Sequence, residues 1–292
     1  MNTNETIGTF KKKKIVFSNK IHNFRKQLNN YHLHTVCQEA RCPNISECFS
    51  EETATFLVMG NVCTRNCRFC SIQTGIPLAL DWSEIDKLIE AIKQTQLSYV
   101  VITSVTRDDL PDGGAQFLAD LAWAIDKQVA IPCEILFPDF KGLKSSLDIL
   151  LKAPISVYNH NIEMVESLFP LIRPQGNYQR SLKILKYLSS KKVFTKTGFM
   201  VGLGENEKDI LKLLDDVKAT GVNVLTIGQY IQPTKQNVPV RKYYSQDEFD
   251  YYKKYAMSIG ISQVVAGPFV RSSYKAKNLY DKLGREYARQ GM

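Results

Sequence analysis

Six of the seven cysteines fall into two triplets, Cys37, Cys42 and Cys48 followed by Cys63, Cys67 and Cys70. The second triplet reads CTRNCRFC, a C-x3-C-x2-C spacing. Three is an informative count, because a structural zinc site is closed by four ligands and a simple electron-carrying iron–sulfur cluster is held by four cysteines. A triplet leaves one metal corner without a thiolate, and an open position is where a substrate or cofactor binds a metal directly. Thiolates suit iron–sulfur clusters, whose ligands sit a few residues apart on a tight loop. Half a zinc site, or buried cysteines with no common role, are the alternatives. The first triplet, in HTVCQEARCPNISECF, has C-x4-C-x5-C spacing and again supplies three thiols. Cys133, in the strand-like IPCEILFP, reads as a small buried hydrophobe, so the fourth ligand of the first triplet must be something other than cysteine.

These loops need a frame to hold them. Residues 1–30 are polar and basic and read as a loosely ordered arm, and residues 31–52 carry the first triplet with little periodicity. From about residue 53, β-rich runs at Thr53–Gly60, Ser98–Thr106, Ile131–Pro138, Ile155–Asn159, Phe194–Gly202, Val224–Ile231 and Gln263–Phe269 alternate with amphipathic stretches. In WSEIDKLIEAIKQTQ, the residues Ile85, Leu88, Ile89 and Ile92 share one helical face, and Ser83 with Asp86 resembles a helix start. SLKILKYLSSKK and EKDILKLLDDVKATG behave alike, with Gly221 as a C-cap. Alternating strands and helices predict parallel βα units with right-handed crossovers. Six or seven units are too few for a closed eight-unit barrel. The predicted fold is therefore α/β, a partial, laterally open (β/α)6-type TIM-like barrel, with a doubly wound sheet as the alternative. Three segments are expected: an N-terminal extension with the first triplet (1–52), the barrel (53–270) and a basic tail (271–292). Functional loops belong at the C-terminal ends of the strands, where the second triplet falls.

The C-x3-C-x2-C loop, with the aromatic Phe69 before its last cysteine and the first barrel strand before it, resembles the radical S-adenosylmethionine superfamily. The first triplet narrows the resemblance, together with SVTRDDLPDGGA at 104–115, HNIE at 160–163, RP at 173–174, GLGE at 202–205, QYIQPT at 229–234 and AGPFVRSSYKA at 266–276. In that order, over residues 31–284, the set resembles the lipoyl synthase family. The resemblance implies two 4Fe–4S clusters. One is held by Cys63, Cys67 and Cys70, with its fourth iron taking S-adenosylmethionine, whose reductive cleavage yields a 5′-deoxyadenosyl radical. The other is an auxiliary cluster on Cys37, Cys42 and Cys48, consumed as the sulfur donor. Its fourth ligand in the family is a serine of the RSSY motif, Ser272 or Ser273 here, with Ser273 favoured. A hydroxyl-derived oxygen is a harder ligand than thiolate and easier to displace. The other role for the pair is to cap the basic C-terminal helix. The implied reaction inserts sulfur at C6 and then C8 of an octanoyl chain held on a carrier lysine.

Other residues are candidates for cofactor contact. Gly113 and Gly114 follow the second strand in an acidic turn, and Gly202 and Gly204 end a later one; each pair also suits a plain turn. Asn161 and Glu163 are candidates for hydrogen bonds to the cofactor's ribose or amino group, with a helix N-cap as the other role of Asn161. Arg107, Arg173 and Arg271 can fork onto carboxylates. His32, His34 and His160 have no metal spacing and read as supporting groups.

Composition agrees with an intracellular enzyme. The chain has 292 residues, long enough for a sizeable core without disulfide staples. The opening MNTNETIGTFKKKK has no apolar stretch behind its lysines, so no secretory signal is expected, and no run approaches a membrane span. A cytoplasmic, reducing location is expected, where clustered cysteines bind metals or catalyse. The net charge of +9 suggests an acidic partner. No nucleic-acid module is visible. The resemblance supplies octanoylated lipoyl-carrier domains, such as dehydrogenase E2 subunits or the glycine cleavage H protein, which are acidic. It also implies an electron donor such as flavodoxin or ferredoxin, and iron–sulfur assembly proteins. The competing functions are a sulfur-inserting enzyme similar to biotin synthase, against which the first triplet and the RSSY tail argue, and a metal carrier without catalysis.

Overall fold

The computed structural model describes residues 31, 34–36, 42, 44–50, 54–95 and 97–284. The arm over 1–30, the predicted ligand Cys37, His32 and the tail beyond 284 lie outside the described residues. In chain order the strands are β1 (His34–Thr35), β2 (Thr55–Val58), β3 (Val62–Cys63), β4 (Gln73–Thr74), β5 (Val100–Ser104), β6 (Cys133–Leu136), β7 (Val157–Asn159), β8 (Thr195–Val201), β9 (Val224–Gln229) and β10 (Gln263–Gly267). The helices are α1 (Ile45–Ser50), α2 (Ser83–Thr95), α3 (Ala115–Gln128), α4 (Lys144–Leu150), α5 (Phe169–Ile172), α6 (Tyr178–Ser190), α7 (Glu207–Thr220), α8 (Gln246–Ser258) and α9 (Ala276–Leu279).

The main sheet runs β1-β2-β5-β6-β7-β8-β9-β10, with β1 antiparallel to β2 and every other pairing parallel. The order is linear, and among the described residues β10 pairs only with β9. This is the laterally open barrel expected from the βα rhythm. Each of the seven predicted runs contains one of its parallel strands. The strands are nearly continuous apolar runs because both faces are covered, as parallel sheets require. On β5, Val100 and Ile102 join the helix-side core while Val101 packs on the inner face with Tyr99, Ala276 and Tyr280. Leu279 and Tyr280 also meet Val157, Phe194 and Val224. The turn at α9 therefore closes the inner face of the barrel.

Helix ends follow local chemistry. Asn177 and Asn206 cap α6 and α7 by accepting from backbone N–H groups, Ser245 and Glu248 form a capping box on α8, and Gly221 ends α7 in the left-handed conformation as expected. The start of α2 differs from expectation. Asp81, and not Ser83, receives the leading N–H groups, Ser83 N to its side chain at 3.0 Å and Glu84 N to its carbonyl at 3.0 Å. The helix begins at Ser83 itself, so the cap falls to a residue before it, and Asp81 satisfies two of the orphan N–H groups.

One layer of the barrel interior is polar. Lys196 and Glu134, 2% and 1% exposed, form an ion pair with Nζ 3.0 and 3.2 Å from the two carboxylate oxygens. Tyr99 Oη and Asn159 Nδ2 also donate to Glu134, at 2.9 and 2.7 Å. Two residues further along the same strands, Gly198 and Leu136 line the cavity described next.

Candidate active site

A cavity of about 420 Å³ opens at the C-terminal ends of the strands. Cys63, Cys67 and Cys70 line it from the loop after β2, and Cys42 lines it from the first-triplet segment. Arg271, Ser272 and Ser273 reach it from the segment after β10. Cys48 is half-buried and packs against the core cluster that also takes in Cys42 and Cys63. Two segments far apart in sequence meet here. Asn44 Nδ2 donates to Phe269 O at 2.6 Å, and Tyr274 Oη donates to Glu47 Oε1 at 3.0 Å. Neither serine side chain caps α9, whose N-cap residue is Lys275.

The second-triplet loop is held tightly. Cys63 Sγ accepts from Arg65 N and Thr106 N, both at 3.4 Å, and Cys70 Sγ accepts from Ile72 N at 3.5 Å. On the other side Asn237 Nδ2 donates to Cys70 O at 2.8 Å, and Val238 N to Arg68 O at 3.0 Å. Burial pushes the Cys70 thiol up to about 12, with the Ile72 N–H opposing it. Cys67 is also raised by burial, with Arg173 pulling the other way and Glu163 and Cys63 reinforcing the rise. Glu163 is raised by burial against the pull of Arg173 and Asn161. His160 is buried and held neutral, its pKa lowered to about 4 chiefly by burial, with Nδ1 3.1 Å from Phe137 O and Nε2 3.0 Å from Ser181 Oγ.

The predicted contact residues divide into two groups. Phe69, Asn161 and Glu163 line the cavity. No helix starts at Asn161; the next helical turn begins at Glu166. Gly113 and Gly114 do not line the cavity. Their turn starts α3, with the Asp112 carboxylate accepting from Gly114 N at 2.9 Å and Gln116 N at 2.7 Å. Gly114 has φ 88°, and a Cβ there would overlap Met59. Gly202 and Gly204 also lie off the cavity lining. The N–H groups of Gly202, Leu203 and Gly204 converge on the Glu205 carboxylate at 2.5, 2.9 and 3.1 Å, so this backbone nest already holds an anion. Arg107 forks onto Asp109 at 2.7–2.9 Å. Arg173 is 7% exposed and lines the cavity, and its Nε and Nη1 have no hydrogen-bond partner. Ser104 Oγ and Asn161 Oδ1, also in the lining, are equally unpartnered. Gln229, Tyr230, Ile231, Gln232 and Pro233 of QYIQPT form a further wall, which sequence reasoning quoted as a motif without assigning it a place.

An open parallel βα barrel with a three-cysteine loop at its C-terminal mouth defines the radical S-adenosylmethionine class of enzymes, and the Radical SAM superfamily model matches residues 57–217. The fold is similar to that of Streptococcus suis SuiB bound to S-adenosylmethionine, with TM-score 0.56 and 15% identity over 81% of this chain and 56% of that one. It is also similar to methylornithine synthase (PylB), with TM-score 0.55 and 10% identity over 85% and 82%. Among curated proteins, the lipoyl synthase of Rubrobacter xylanophilus is 48% identical over 86% of this chain and 79% of its own length. Those of Caldicellulosiruptor bescii and Aquifex aeolicus are 48% and 44% identical, covering 87% and 90% of this chain and 88% and 97% of theirs. The chain belongs to the lipoyl synthase family.

The residues present suit the cofactors of that family, 4Fe–4S clusters and S-adenosylmethionine. Three of the thiols that line the cavity, Cys63, Cys67 and Cys70, come from one loop, and among the described residues no three His, Cys, Asp or Glu side chains form a single-ion site. That arrangement suits a multi-iron cluster, with each thiolate on its own iron, better than one tetrahedral zinc. Thiols raised by burial need a compensating cation to ionise, which iron held by Cys63, Cys67 and Cys70 would supply. The unpartnered N–H groups of Arg173 and the oxygen of Asn161 are donors and acceptor suited to an amino-acid ligand.

Proposed function

We propose that this chain inserts two sulfur atoms, at C6 and C8, into an octanoyl chain carried on a lysine of a lipoyl-carrier protein. Cys63, Cys67 and Cys70 hold the cluster that binds S-adenosylmethionine, and Cys37, Cys42, Cys48 and Ser273 hold the auxiliary, sulfur-donating cluster. With these groups bound, they supply reductive cleavage of S-adenosylmethionine, hydrogen abstraction from the octanoyl chain and the sulfur atoms. The observation that carries this reading is that Cys42 and Ser273 share one cavity with Cys63, Cys67 and Cys70, although Cys42 and Ser273 come from opposite ends of the chain.

The chain's own residues bind, orient and exclude water. Arg173 offers its Nε and Nη1 to the cofactor's carboxylate, and Asn161 with Glu163 faces its amino or ribose groups. Phe69 and the QYIQPT wall supply apolar surface that keeps reactive species from water. His160, neutral and bonded on both nitrogens, holds the β7 loop to Phe137 and α6 and adds no charge. Gly198 forms part of the cavity floor, where a Cβ would overlap Thr226 and crowd Asn161, so the missing side chain keeps Asn161 accessible.

The test is one assay with octanoylated carrier peptide, S-adenosylmethionine and reductant, read by mass. The intact chain is expected to add two sulfurs with loss of four hydrogens. Cys42→Ala is expected to keep cleavage of S-adenosylmethionine and lose thiolation, and Cys67→Ala to lose both. Thiolated product from Cys42→Ala would overturn the donor assignment.

A further inference from the structure

Within the C-x3-C segment, Arg65 is the one residue whose long side chain turns into the protein. It is 3% exposed, whereas Asn66 beside it is exposed. Its Nε and Nη2 fork onto the Asp108 carboxylate at 2.7 and 2.9 Å, and Nη2 also reaches Asp139 at 2.6 Å. Asp139 is itself completely buried, takes Arg180 Nη1 at 2.9 Å and accepts from Lys141 N at 3.1 Å. One guanidinium thus links the triplet loop to the loop after β5, the loop after β6 and, through Asp139, helix α6. The four charges balance, two guanidinium groups against two carboxylates, so the array adds little net field at the cavity. Although burial opposes it, the two carboxylates keep Arg65 firmly protonated, and Arg65 keeps Asp139 ionised. Thr64 continues the seam: its N and Oγ1 donate to Thr106 O at 3.1 and 2.9 Å, and its Oγ1 accepts from Asp108 N at 3.0 Å.

We infer that Arg65 is a positioning residue for the radical reaction: its fork fixes the register of the three-thiol loop against the βα loops that carry the other cofactor-facing groups. The inference rests on the proposed role of Cys63, Cys67 and Cys70. It follows from geometry that a lysine cannot reproduce, because a single ammonium lacks the planar fork needed to engage Asp108 bidentately while reaching Asp139. The loop backbone between Cys63 and Cys67 is also anchored by Thr64 to Thr106, by Asn66 N to Gln175 Oε1 at 3.2 Å and by Thr74 Oγ1 to Arg65 O at 3.1 Å, but of these contacts the Arg65 fork alone reaches Asp139 in the loop after β6. Loosening the fork therefore frees the half of the loop that carries Cys63 relative to the half that carries Cys70, which Arg68 N to Ile172 O at 2.8 Å and Asn237 still hold.

The experiment compares the full chain with Arg65→Lys and Asp108→Asn. Before reconstitution, amide hydrogen exchange over residues 61–72 is expected to quicken about tenfold in Arg65→Lys, the factor carried by one lost charge-assisted hydrogen bond. Peptides from β8 and β9 are expected to keep their rates. Asp108→Asn, which retains an acceptor, is expected to fall between the two. After reconstitution, the change that S-adenosylmethionine produces in the electron paramagnetic resonance spectrum of the reduced cluster is expected to broaden in Arg65→Lys, with KM for S-adenosylmethionine raised more than kcat is lowered. Unchanged exchange over 61–72 in both variants, or an unaltered spectrum in Arg65→Lys, overturns the inference. Should Arg65→Lys open every peptide alike, Asp108→Asn decides by the same two readouts. Failure of the intact chain to cleave S-adenosylmethionine would sink the proposed function, and the exchange measurement would still report on the clamp.

Discussion

Replacing Arg173 by methionine should move stability and affinity in opposite directions. The guanidinium is buried with two N–H groups unpartnered, and it makes no ion pair within 4.0 Å among the described residues. Each buried, unsatisfied donor costs about 1–3 kcal/mol, and methionine fills similar volume without polar atoms. The metal-free chain is therefore expected to gain about 2 kcal/mol in the Arg173→Met variant, because removing two unsatisfied buried donors outweighs the lost pull on Glu163 and Cys67. Two charge-assisted hydrogen bonds to a carboxylate are worth at least about 3 kcal/mol together, so the reconstituted variant should bind S-adenosylmethionine about a hundredfold more weakly. Glu163, already raised by burial against the pull of Arg173, should become more basic still. Urea denaturation of the metal-free chain and equilibrium dialysis of the reconstituted chain give the two numbers. A variant less stable than the parent would mean that Arg173 is satisfied in the fold. Unchanged affinity would mean that its N–H groups do not meet the cofactor. Either result refutes the reasoning.

The buried imidazole of His160 makes stability depend on pH. Its folded pKa of about 4 lies below the ordinary value of 6.5, so its contribution is full above about pH 6.5 and is lost as pH falls toward 4, up to about 3 kcal/mol. Urea midpoints between pH 7 and pH 4 should show this slope in the parent and a shallower one in His160→Gln. Lys196→Met removes the only cation paired with the buried Glu134 side chain among the described residues, and should cost about 3–5 kcal/mol in the same assay. The double change with Glu134→Gln should recover most of that, because the amide oxygen takes the place of Oε1 as acceptor for Asn159 Nδ2 while the NH2 group, in the place of Oε2, donates to Tyr99 Oη.

The barrel was legible because each parallel strand is a short apolar run bounded by polar turns, from TFLV in β2 to QVVAG in β10. Helix α1 was not. Six residues with one acidic group in the first turn carry too little periodicity, and tertiary contacts supply what propensity lacks, among them Asn44 to Phe269 O and Glu47 to Tyr274. The thiols were visible from spacing alone, but the groups that support them were not. Arg65 and Asp139 are 74 residues apart in sequence, and nothing local marks them as partners. The glycine turns carried two readings for a physical reason. Positive φ serves a tight helix start at Gly114 as readily as close approach to a ligand, and only the position of Met59 distinguishes the two uses.

Tyr274 touching Glu47, and Phe269 taking the amide of Asn44, bind together stretches separated by more than two hundred residues. During synthesis the cysteine loop emerges early, and the segment that carries the two serines follows β10, the last strand of the barrel. The proposed donor site therefore comes into being last. A nascent or truncated chain stopping short of residue 270 would own the machinery for activating S-adenosylmethionine without the walled store of sulfur that the chemistry spends.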